Sequence, residues 1–185
     1  MSGAILFSIK TEFAERIYSG SKRTELRRNC PSRASQIAFL YETKPRSAIT
    51  GAIQIARIRR DTPAATWARS SSTLGISRSQ FDSYLRGSSL AVSVEISRSM
   101  RFDRSIALHA DIGVSAAPQS FCYLSERVAA RLLELQGVES SKTWLRALHA
   151  GLATMESYSG QEAARGSTGE DDIAVYARSG LPKGR

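Results

Sequence analysis

Five charged side chains stand within the seven residues Lys22-Arg23-Thr24-Glu25-Leu26-Arg27-Arg28, one carboxylate among four cations. Such a set suits an anionic or strongly polar ligand. Lysine offers a mobile point charge, arginine a planar fork that matches phosphate, and the carboxylate either orients the cations or accepts from a ligand. Residue order decides which groups act together. Alternation along a strand puts Glu25 and Arg27 on one face, whereas Lys22 has the opposite parity and joins them only if the strand begins irregularly. Gly20 just ahead supplies the permissive backbone for a tight turn. Glu25 reads equally as a ligand contact and as the ion-pair partner of Arg27. Arg23 and Arg28 read first as solvated cations, with Arg23 retained among the binding candidates. If the site is catalytic, Lys22 stabilises charge and Glu25 is the base.

The charge distribution points the same way. The 185-residue chain carries a net +9, and residues 1–60 hold 12 Lys and Arg against 4 Glu, a local net of +8. The rest of the chain is nearly balanced. A basic excess focused around one motif attracts phosphate backbones and makes binding salt-dependent. No apolar run approaches the ~20 residues of a membrane span, so no membrane partner is expected. Ala4-Ile5-Leu6-Phe7-Ser8-Ile9 alternates like a strand and lacks a signal-peptide layout. Cys30 and Cys122, without a CxxC, fit a reducing cytoplasm and no disulfide. With only His109 and His149 besides, far apart in sequence, neither a metal site nor a cofactor is expected.

The elements that must position the motif form a mixed α+β pattern. Ile5, Phe7 and Ile9 share one face of a first strand. Thr11 opens a short helix with Phe13 and Ile17 at i and i+4, ending near Ser19-Gly20. The motif strand follows, then an apolar strand at 36–42, a turn at Pro45, and a long strand where Ile49, Ile53 and Ile55 recur. Gly51 within it marks a bulge or a close backbone approach. Thr62-Pro63 starts a helix carrying Trp67, which reads as packing rather than as a stacking platform, and a second helix spans about 77–86. Val92, Val94 and Ile96 then alternate in a half-buried antiparallel strand that continues towards Phe102. Tyr41, at the end of its apolar strand, is either a base-stacking residue or a rim or core residue.

The last third reads as helical. Leu124, Val128, Leu132 and Leu135 keep helical spacing, and after Gly137 a second amphipathic helix carries Trp144, Leu148, Leu152 and Met155. Residues 157–185 are Gly/Ser-rich and read as a flexible tail, with Ile173–Tyr176 the one piece apolar enough to dock. The expected organisation is therefore a domain over 1–123, a helical extension over 124–156 and a tail over 157–185. Ser120 and Cys122 have no nearby His/Asp arrangement, so nucleophilic catalysis there is unsupported.

Several of these features together resemble an ASCH domain of the PUA-like superfamily. They are Ser8-Ile9-Lys10 ending the first strand, Phe13-Ala14 and Ile17 on the helix, and GxKxxExR at Gly20, Lys22, Glu25 and Arg27. Tyr41-Glu42-Thr43, Ala48-Ile49-Thr50-Gly51 and the Pro118-Gln119-Ser120-Phe121 box continue the match to about Tyr123. The resemblance implies a twisted, partly closed β-barrel with helices around it, and a cleft at Lys22, Glu25 and Arg27 for RNA or a nucleotide-like ligand. It implies a binding module, regulatory in character. The alternative is a hydrolase acting on RNA or on a modified nucleoside. One ASCH-type group hydrolyses acylated cytidine with a lysine and a threonine three residues on; here Glu25 occupies that third place, which argues against transferring the activity. A further alternative is a scaffold whose C-terminal helices take a protein partner.

Overall fold

Alternating burial carries Ile5, Phe7 and Ile9 into β1 (Ala4–Ile9), the first strand of the computed structural model, which describes residues 3–29, 31, 35–114, 116–136, 138–150 and 154–156. Helix α1 (Thr11–Tyr18) buries Ala14 and Ile17, one turn apart, and ends at Gly20, whose φ of 78° reverses the chain. Strands β2 (Thr24–Arg27), β3 (Ile37–Glu42) and β4 (Ala48–Asp61) follow. Thr62 caps α2 (Pro63–Ser70) by accepting from the Ala65 N–H, and Ser77 with Gln80 forms a capping box on α3 (Arg78–Tyr84). The long β5 (Ala91–Ile106), the short α4 (Leu108–Ile112), β6 (Phe121–Leu124), α5 (Glu126–Glu134), α6 (Val138–His149) and β7 (Thr154–Glu156) complete the chain.

The strands form one sheet in the order β2-β5-β4-β3-β1-β6, with β7 also paired to β4. β1 and β3 run parallel, as do β4 and β7; the other pairs are antiparallel. Register shifts interrupt the β4–β5 ladder between Ile49 and Gly51, between Gln54 and Ile55, and between Ile55 and Arg57. Such irregularities bend strands and tighten their twist. The sheet curls far enough that Arg27, on edge strand β2, donates to backbone oxygens of Ser8 on β1 and Ser120 before β6. The result is a half-barrel whose two edges are joined by a side chain.

Its two faces carry different cores. The concave face holds Ile5, Phe7, Ile9, Leu40, Ile53, Ile58, Val92 and Val94, with Ala14 and Ile17 of α1 packed into it. The convex face carries one cluster that includes Leu6, Phe39, Ile49 and Phe102, closed by Leu132 and Leu133 of α5 and by Trp144, Ala147 and Leu148 of α6. A smaller convex cluster holds Leu26, Leu74, Phe81 and Leu85 beneath α2 and α3. The helices after Ser125 therefore share a core with the sheet. Gly51 sits where a Cβ would collide with the Met100 carbonyl oxygen and stand 2.6 Å from the Tyr18 hydroxyl, so the close approach expected there is real.

Two helical readings are corrected. Leu124 ends β6, paired with Ala4, because Phe121–Leu124 completes the ladder on the free edge of β1. The helix begins only after Ser125, whose hydroxyl accepts from Val128 N–H. Met155 lies in β7, opposite Ile58, not on a helix. Leu152, the tail 157–185, its segment 173–176 and Cys30 lie outside the described residues.

Candidate functional site

The motif begins before its strand does. Lys22 N–H donates to Arg16 O at 2.9 Å, and the N–H groups of Arg23 and Thr24 both donate to Thr73 O, at 2.8 and 3.0 Å. This irregular lead-in removes the parity conflict. The Lys22 ammonium swings to the concave side, 3.3 Å from Glu25 Oε2, and donates to Leu74 O at 2.8 Å. Glu25 Oε1 lies 3.2 Å from Arg27 Nε. The Arg27 fork donates through its two terminal nitrogens to Ser120 O at 3.1 Å and Ser8 O at 2.9 Å, with its central carbon 4.4 Å from the Phe7 ring centroid. Lys22 lies 5.6 Å from the Phe13 ring centroid.

All three residues are nearly inaccessible: Lys22 is 2% exposed, Glu25 6% and Arg27 5%. Two buried cations therefore face one buried carboxylate. In a low-dielectric interior an unbalanced charge is costly, and each cation keeps part of its bonding capacity. Arg27 Nε, close to Glu25 but poorly aligned, makes no hydrogen bond. The loop at 71–76 closes over the lysine, and a Cβ on Gly75 would stand 3.0 Å from that of Lys22. An anion entering here gains from both cations. Threonine does not join them: the Thr24 hydroxyl bonds Thr73 Oγ1 at 2.8 Å on the convex side.

The other sequence-derived residues are placed elsewhere. Tyr41 is 8% exposed in the convex core, on the face opposite the cluster. Arg23 is exposed and lines a depression of about 300 Å³ with Thr24, Arg69, Ser70, Thr73 and Glu95. Trp67 packs edge-on against Phe81 with centroids 5.0 Å apart. Arg28 stacks on the Tyr84 ring at 5.1 Å and donates to Tyr84 O at 2.6 Å. Burial pushes the Cys122 thiol up to about 11, which keeps it protonated and a poor nucleophile near neutrality. Among the described residues no three His, Cys, Asp or Glu side chains gather as a metal would need.

Three aromatic residues stand near the cluster that the sequence does not mark as site residues, although it reads Phe13 and Phe121 as parts of the scaffold. Tyr84 is 41% exposed, and burial raises its phenol pKa while the charges of Arg27 and Glu25 act on it in opposite directions. Phe13, partly buried, lies beside Lys22. Phe121 packs edge-on to Phe7, at 6.4 Å, and stands next in the chain to Ser120, whose oxygen Arg27 holds. They come from α3, α1 and β6, so no local spacing announces their nearness to the motif.

A second buried carboxylate sits at the far end of β3. Glu42 is 0% exposed, neither oxygen accepts a hydrogen bond, and Arg46 Nε approaches to 3.6 Å. Nearby, Tyr18 and Thr50 share a hydroxyl bond of 2.8 Å, and Arg101 makes two 2.7 Å bonds to Glu15.

The comparisons agree with the fold. A model of the ASCH domain matches residues 7–166. Among solved structures, ASCH from Zymomonas mobilis is similar at 25% identity and a TM-score of 0.67, over 72% of this chain and 96% of that one. A serine-to-alanine mutant of the Zymomonas mobilis protein is similar at 24% identity and a TM-score of 0.68, over 74% and 98%. No curated protein sequence matches the chain. Among the described residues no helix is long and apolar enough to cross a membrane.

Proposed function

Since the chain belongs to the ASCH domain family, we propose that it binds RNA or a nucleotide-like ligand at the concave cluster of Lys22, Glu25 and Arg27. One observation carries the reading: two cations and one carboxylate, all at least nine-tenths buried, leave a positive surplus on the inner face of the half-barrel. A phosphate or an electron-rich base edge balances that surplus. In this reading Glu25 sets the spacing of the two cations and Lys22 supplies the mobile contact. Arg27 works mainly as the latch between the sheet edges, and its charge adds to the attraction that Lys22 exerts. Exposed Tyr84, with Arg28 against its ring, flanks the cluster as a surface on which an unstacked base can lie.

The scaffold alternative has less to rest on, because Leu132, Leu133, Trp144 and Leu148 of the C-terminal helices are spent on the molecule's own core. The test is titration of the full chain against a fluorescent single-stranded RNA at two salt concentrations, with RNA integrity checked afterwards. Binding that weakens with salt, and weakens at least roughly tenfold in a folded Lys22→Ala protein, is the expected result. Equal binding by Lys22→Ala overturns the assignment of the cluster. RNA cleaved by the wild type but not by Lys22→Ala places the protein among hydrolases instead.

A further inference from the structure

The register of the sheet places a second arginine in line with the first. Arg27 on β2 and Arg60 on β4 both stand opposite Val92 of β5, one from each side. Val92 faces the concave core, and so does Ile58, two residues before Arg60 on a stretch of β4 without register shifts. Alternation therefore puts Arg60 on the same inner face as Arg27. The two belong to strands two places apart, roughly 10 Å between backbones at the usual strand spacing. The Arg27 fork is taken up by backbone oxygens of Ser8 and Ser120.

The partners of Arg60 are the informative part. Its neighbour Arg59 pairs with Glu95 at 2.9 Å, and Asp61 pairs with Arg69. Arg60 is half-buried, its Nε is shut off from solvent without a hydrogen bond, and among the described residues it has no carboxylate partner. A cation in that position, on the face that already holds a positive surplus, adds to the attraction for anions rather than neutralising anything.

We infer that Arg60 is a second phosphate-binding residue of the concave face, so that the ligand is an oligonucleotide reaching from the Lys22–Arg27 cluster to β4 rather than a single nucleotide. This rests on the RNA-binding reading above. It distinguishes an oligonucleotide from a mononucleotide, and it makes β4 part of the binding surface.

The experiment compares wild type, Arg60→Gln and Arg60→Lys in binding a fluorescent eight-nucleotide oligouridylate and uridine monophosphate, over a range of salt. The fold of each variant is checked by circular dichroism. For the oligonucleotide, Arg60→Gln is expected to flatten the slope of log K against log salt by about 0.7, the value for one phosphate contact on a single strand. Its affinity at low salt should fall roughly tenfold. Arg60→Lys should keep the slope, and it carries the test if the glutamine variant does not fold, since full charge with reduced fork geometry must still lose affinity. Binding of uridine monophosphate should be the same in all three proteins. An unchanged oligonucleotide slope and affinity in Arg60→Gln, with wild-type binding intact, overturns this inference alone and leaves Arg60 as a stem that shields the apolar row. An equal loss for mononucleotide and oligonucleotide also overturns it, since Arg60 then acts at the first phosphate. Absence of any RNA binding by the wild type overturns both this inference and the reading beneath it.

Discussion

Glu25 and Glu42 are both buried on the concave side of one sheet, and their surroundings are opposites. Glu25 stands between two buried cations, 3.3 Å from Lys22 and 3.2 Å from Arg27. Glu42 is completely enclosed, yet both its oxygens lack hydrogen bonds and its near cation, Arg46, is 3.6 Å away with a side chain 42% exposed. The first site has more positive charge than it needs and the second has less. A surplus of buried cations is a feature a ligand can complete. The buried carboxylate Glu42 has one half-exposed arginine beside it, Arg46, which also lies 3.9 Å from Glu15 of α1. The same residue type on the same face thus meets two environments, and the neighbours decide which.

The comparison breaks most readily at Glu25. Replacing it by glutamine leaves Lys22 and Arg27 buried without a counter-charge, and the expected cost is about 3–5 kcal/mol in urea unfolding. A loss below about 1 kcal/mol would mean that the cluster is hydrated and not a compensated interior ion group. Next in size is Gly51→Ala. The added methyl must displace either the Met100 carbonyl or the Tyr18 ring, which is held by Thr50 beside Glu42, so about 1–3 kcal/mol should be lost to overpacking. A neutral result there would show that the α1 side of the sheet yields easily.

Glu42→Gln should change stability by no more than about 1 kcal/mol in either direction. It removes an under-compensated charge from the interior and sacrifices only a half-exposed ion pair. A loss as large as that of Glu25→Gln would erase the distinction between the two sites. The smallest effect is a pH dependence. Burial, offset in part by the Thr50 bond and reinforced by the Glu42 charge, raises the Tyr18 phenol well above its ordinary value of 10.0. The folded protein then keeps this proton where the unfolded chain loses it. This contribution to stability is complete below pH 10 and declines as the pH rises above it. Tyr18→Phe, measured by thermal unfolding from pH 9 to 11, should show a shallower decline than wild type; parallel curves would mean that the phenol is solvated.

Much of the scaffold is legible in the residue pattern. The alternation of Ile5, Phe7 and Ile9, the i, i+4 pair in α1, the turn at Gly20 and the strand of Val92 and Val94 all appear where local periodicity puts them. What failed were short segments whose spacing fits two answers. Leu124 and Met155 keep a spacing compatible with a helix, and pairing with β1 and with the Arg57–Arg59 stretch of β4 places them in strands. At the site, Glu25 and Arg27 are readable from parity, but the position of Lys22 depends on a hydrogen bond to Arg16 and a cover from residues 71–76. Tyr41, a residue of the same apolar pattern as Phe39, goes with it into the convex core.

The sequence alone determined the family, the basic first third, and the pairing of a carboxylate with an arginine on one face of a short strand, because these depend on residue type and on spacings of two to four. Only the tertiary structure decided that Lys22, Glu25 and Arg27 are enclosed and that Arg27 joins the two edges of the half-barrel. Only it placed Arg60 level with Arg27 across Val92. Those facts arise from register, curl and strand order, which bring together residues tens of positions apart, and no local pattern in a chain encodes the register of a strand it has not yet met.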